Sequence, residues 1–234
     1  MRGLLQLEIR SPVDDADFHR INGPGQTLSL AASLLESAAL LESDDSVLAS
    51  RMRERAAVYV DGFFAAPHDL GKGEFVITCH RDDNSVWKTM PIWGSAYGVW
   101  PASYVALTCL CGFRLTQGQD GRLLDWACAV GRGYLSEPFP ANVAVPAMDA
   151  GLGLGLLADL YDLTADKVWL DGALKLGEKL ATIYLDAPLP RGAAGIDWYE
   201  SQMGPGFLLH GLVRTALLAA DRETCPLTAD YTAR

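Results

Sequence analysis

The carboxylates and histidines that could do chemistry in this chain are few enough to weigh singly. Asp149 stands three residues after Pro146, at the start of a run with few charges, and Glu200 lies in "IDWYES" shortly before Gly204. Asp197 accompanies Glu200, while Asp82 and Asp83 follow His80 in "CHRDD". One carboxyl kept protonated and one kept ionised supply a general acid and a general base, and glycosidic bonds are cut by such a pair roughly 5–10 Å apart. Asp149 and Glu200 are the candidate catalytic carboxylates, with His80 as a further acid/base. Each has a plainer reading. Asp149 would cap first-turn N–H groups and complement the helix dipole. Glu200 would cap the last helix or sit exposed, and His80 would be an ordinary loop histidine. His210, in the last apolar run, reads as a satisfied core histidine.

Aromatic residues crowd two of the same stretches. "WKTMPIWGSAYGVW" carries Trp87, Trp93, Tyr97 and Trp100 before Pro101, and Trp198 and Tyr199 precede Pro205. Trp93, Tyr97, Trp100, Trp198 and Tyr199 form a candidate stacking platform for a neutral ring such as a sugar. The competing reading has them plug the end of a helical assembly. No metal or cofactor is expected. Cys79 and His80 are adjacent and have no matching second pair. The five cysteines include no CxxC spacing and read as buried thiols. "GLGLG" (residues 151–155) follows no strand and is not a nucleotide loop.

The elements that must position these residues are helical. Apolar periodicity, Asp starts and Pro stops place seven helices near 25–43, 44–66, 97–116, 120–137, 145–164, 165–187 and 204–221. "EFVITCH" and "SVWKTM" suggest a small β or extended insertion near 72–93, and "LLQLEIR" admits one strand. Four helix starts carry a proline, at Pro24, Pro101, Pro146 and Pro205, where a missing N–H costs nothing. The run after each proline is small and apolar. The helices between them carry charged stripes, as in Asp166, Lys167, Asp171, Lys175, Glu178 and Lys179. A buried helix alternating with an amphipathic one describes repeated hairpins, packed as an inner layer wrapped by an outer one. Gly151, Gly153 and Gly155 imply close backbone packing of an inner helix.

Composition narrows the partners. The 234 residues are 50% hydrophobic and 21% charged, with a net charge of −10. Such a chain is globular, and its charge disfavours nucleic acid and anionic membrane surfaces. No apolar run is long enough to span a bilayer, and the first residues lack a signal-like apolar core, so a cytoplasmic location is expected.

"LADLYDLTADKVWLDGALKLGEKL", together with the proline-started inner helices, resembles the α/α-toroid architecture of the six-hairpin glycosidases. A complete toroid of that kind has twelve helices, and this chain offers seven. The resemblance implies an all-α, partial-barrel fold over a single domain, 1–234, with the cleft at the loops before the inner helices. It also implies a carbohydrate-active protein, whether hydrolase, lyase or epimerase, whose ring could close through a homo-oligomer. The alternative is a non-catalytic helical scaffold or a partial toroid without activity.

Overall fold

The computed structural model describes residues 6–9, 19–69, 74–80, 82–93, 101–197 and 204–229. Among these the seven expected helices are present: α1 (Pro24–Leu41), α2 (Ser46–Phe64), α3 (Ala102–Leu115), α4 (Gly121–Ser136), α5 (Ala147–Thr164), α6 (Lys167–Tyr184) and α7 (Pro205–Ala220). The repeated proline lies where its chemistry allows, at the first helical position of α1 and α7 and at the N-cap of α5. At α3 the Pro101 carbonyl accepts from Tyr104 and Val105 N–H groups.

The all-α character expected is present, with one small antiparallel sheet beside the helices. Strands β1 (Gln6–Ile9), β2 (His19–Asn22), β3 (Glu74–His80) and β4 (Val86–Pro91) form an antiparallel sheet in the order β1-β2-β3-β4. The β3–β4 hairpin fills the insertion expected near 72–93, and β1 falls within "LLQLEIR". The strand that the periodicity misses is β2, whose sequence "HRIN" is too short and too polar to show alternation.

The chain divides into two compact units, residues 1–91 with 108–125, and residues 92–107 with 126–234. In the first, α1 and α2 form a hairpin closed by Asp45, whose carboxylate accepts from the Leu48 N–H at 2.9 Å. Fully buried alanines at 31, 38, 49 and 56 leave the two helices little side-chain bulk to separate them. Arg122, at the start of α4, forks onto Asp120 and also reaches Asp61.

In the second unit α5 is buried almost throughout Ala147–Leu160, packed by α6 and α7. Each fully buried leucine here is worth about 1.5–3 kcal/mol. Gly151 is required by that packing, because a Cβ added there would stand 2.3–2.6 Å from the backbone of Phe207 and Leu208. Gly153 gives way to the Tyr134 ring, whereas Gly155 has open space where a Cβ would lie. Close packing therefore explains two glycines of "GLGLG" and not the third. Asp166 caps α6 through the Val168 N–H at 3.0 Å. Among the described residues no helix is long and apolar enough to cross a membrane.

Candidate functional site

The local chain geometry sets Asp149 apart. It occupies the third position of α5, from which a carboxylate can reach back to the N-cap N–H. The N-cap is Pro146, which has no N–H, and no side chain caps the helix. The first free N–H, of Ala147, is already taken by the Gly192 carbonyl at 2.8 Å. The reciprocal capping-box bond to an N-cap N–H is therefore unavailable to Asp149. The residue is 3% exposed, and its carboxyl makes no ion pair or hydrogen bond to the described residues.

Burial pushes the Asp149 carboxyl up to about 7. A carboxylate out of water and without a compensating donor is unfavourable, so the proton stays on until near neutrality. Its surroundings are phenolic. The Tyr134 and Tyr184 hydroxyls are raised well above the usual phenol range, first by burial and also by the field of Asp149. Neither hydroxyl is idle: Tyr134 donates to the Ile92 carbonyl at 3.0 Å and Tyr184 to the Val145 carbonyl at 2.7 Å.

These tyrosines belong to an aromatic cluster. The Trp93 ring meets Tyr134 edge-on at 4.6 Å and Phe139 at 5.0 Å, and Phe139 meets Tyr184 at 6.4 Å. Trp93 is 7% exposed, and its indole N–H donates to the Glu137 carbonyl at 3.3 Å. It fills the interior instead of offering a face to solvent, which is the plugging arrangement weighed above. Among the described tryptophans the exposed one is Trp87, on β4.

Alongside the cluster is a cleft of about 410 Å³, formed by the loop from Phe139 to Ala144, by Lys179 and Ile183 of α6, and by 194–196. Its two loop strands are tied by a Pro146–Ala193 bridge and by the Ala194 N–H donating to the Val145 carbonyl at 2.9 Å. Phe139 belongs both to the cleft wall and to the aromatic cluster.

The other sequence candidates are placed as follows. His80 ends β3 in the first unit, half-buried, its ring 6.3 Å from Trp87. Its backbone closes the β3–β4 turn with Ser85 and Asn84. Asp82 and Asp83 on that turn are exposed, and Ser85 holds the Asp83 carboxyl below its ordinary range. Asp197 is exposed and pairs with Arg191. Glu200, Tyr97, Trp100, Trp198 and Tyr199 lie outside the described residues. His210 is half-buried, lines a cavity of about 30 Å³ beside Arg214, and has no hydrogen-bond partner among the described residues. All five cysteines are free thiols, three of them buried. Among the described residues no cluster of His, Cys, Asp and Glu could hold a metal ion.

The sequence reading passed over Tyr134, Phe139 and Tyr184, whose convergence comes from three separate elements and leaves no local pattern. It also passed over Arg214, the one cation in the apolar run of α7. That guanidinium is 1% exposed and pairs with Asp159 at 2.8 Å and Asp162 at 2.9 Å. A lone charge in an apolar helix was the available signal.

Comparison with protein-family models, with curated proteins and with solved structures yields no match.

Proposed function

We propose that the protein acts on a saccharide by acid/base chemistry of the helical-toroid type, with Asp149 as the proton donor. The observation that carries this reading is a buried carboxyl, free of partners among the described residues, that keeps its proton close to neutral pH. A structural aspartate would be paired or capped, as Asp159 and Asp166 are. An acid poised near the working pH donates its proton as the bond to the leaving oxygen breaks, and becomes ionised. Glu200 is the proposed base that takes the proton from water. Phe139 and the cleft beside it supply apolar wall for a sugar ring.

The test is a panel of chromogenic glycosides and oligosaccharides, assayed from pH 5 to 9 with the parent protein and Asp149→Asn. Turnover in the parent that falls at least about 100-fold in the variant supports the proposal. An inactive parent across the panel, or turnover that survives the substitution, contradicts it.

A second reading, a helical scaffold that self-associates, is favoured by α7. Gly206, Leu209, Val213, Ala216 and Ala220 are all exposed and recur at helical spacing, with Leu209 at 41% and Val213 at 50% exposure. The stripe carries no charge in a protein of net charge −10, so a second copy meets least repulsion there. Light scattering separates the readings: a dimer that Val213→Lys converts to monomer supports the scaffold, and a strict monomer removes it.

A further inference from the structure

The cleft beside the aromatic cluster has a polarity that the saccharide reading does not use. Its volume of about 410 Å³ falls in the range of small-molecule sites. The walls are apolar, from Phe139, Val143, Ile183 and Ile196, and among the described lining residues the one charged side chain is Lys179. No acid faces it. Lys179 forms no ion pair with the described residues; its ammonium stands over the Phe139 ring at 5.6 Å. A cation–π contact of this kind is worth about 0.5–1 kcal/mol at an exposed site and leaves the ammonium free to donate.

The surrounding charges sharpen the point. Lys175 lies one helical turn before Lys179 on the same face of α6. Arg191, which borders the cleft by donating to the Ile196 carbonyl at 3.3 Å, has its charge already answered by Asp186 and Asp197. An acidic protein thus holds, at the rim of a preformed apolar cleft, a positive charge that no described residue answers. The amide of Asn142, another lining residue, has no hydrogen-bond partner among the described residues and can donate beside it.

We infer that this cleft binds a small carboxylate with an apolar body, the carboxylate pairing with Lys179 and Asn142 and the body resting on Phe139, Ile183 and Ile196. The ion pair gives orientation and the apolar wall gives burial. The backbone is held in place beforehand by Tyr184 on the Val145 carbonyl and by the Pro146–Ala193 bridge, so binding has little loop to order.

Calorimetric or NMR titration with phenylacetate tests this, using phenylacetamide as the neutral counterpart and phenyl phosphate as the other anion. The expected result is phenylacetate binding at least tenfold tighter than phenylacetamide, with chemical-shift changes at Phe139, Asn142 and Ile183. Lys179→Met should remove that tenfold preference, and Lys179→Arg should keep most of it. Equal binding of acid and amide, a preference that survives Lys179→Met, or no binding overturns the inference. Phenyl phosphate binding more tightly than phenylacetate also overturns it, in favour of a phosphate site. Lys179 is exposed, so these variants fold as the parent does. The saccharide assay is read through Asp149→Asn and this titration through Lys179→Met, so failure of one proposal is told apart from failure of the other.

Discussion

Asp149 and Asp159 lie ten residues apart on α5, both shut away from solvent, and among the described residues only Asp159 has a cation. The Asp159 carboxylate receives Arg214 from α7, while Asp149 relies on its proton to avoid an uncompensated charge. The difference has a measurable consequence in stability against pH. Unfolded, Asp149 titrates near 3.8; folded, near 7. Between these values the folded state keeps a proton that the unfolded state has lost, so this residue's contribution falls as pH rises from about 4 to about 7 and is flat above. The loss amounts to about 4 kcal/mol at most. Asp149→Asn removes it. Thermal unfolding should show the variant gaining on the parent as pH is raised from 5 to 8. A capping aspartate, its pKa below the unfolded value, would leave the difference flat over this range.

Arg214→Met strips the buried Asp159 carboxylate of its guanidinium partner, which should cost about 3–5 kcal/mol. Urea unfolding measures it, and the double replacement Arg214→Met with Asp159→Leu should recover much of the loss. A single substitution that costs under about 1 kcal/mol would show the pair to be unimportant.

Two glycines of "GLGLG" should respond in opposite directions. Gly151→Ala drives a methyl into the α7 backbone, where no side chain can yield, and should destabilise by about 1–3 kcal/mol or more. Gly155→Ala meets open space and should stabilise by about 0.5–1 kcal/mol through helix propensity. The comparison is made by melting temperature of the two variants.

Tyr184→Phe deletes the hydroxyl that holds the Val145 carbonyl at 2.7 Å. That carbonyl keeps the Ala194 N–H, so it is not orphaned, and the expected cost is about 1 kcal/mol. Amide hydrogen exchange at Ala194 and Ala147 should quicken in the variant, because these N–H groups close the same pair of loop strands.

The helices were legible because their signals are local. Asp45, Asp120 and Asp166 stand where the helix starts were placed, and the four prolines sit at positions that tolerate no N–H. Strand β2 was not legible, since four mixed residues carry no period and owe their state to pairing with β1 and β3. Asp149 was visible as a lone acid after Pro146, but its type could not tell a cap from a proton donor. The facts that bear on that choice, a proline N-cap without an N–H and burial near Tyr134 and Tyr184, come from elements far apart in sequence. Trp93 shows the reverse limit: an aromatic-rich stretch reads the same whether its ring faces a ligand or packs against Tyr134 and Phe139.

The proton on Asp149 is the centre of this account, and its titration can be followed directly by carbon-13 NMR of the side-chain carboxyl, assigned by its loss in Asp149→Asn. A midpoint near 7 is the predicted result. A midpoint near 4, as for an exposed aspartate, would contradict it.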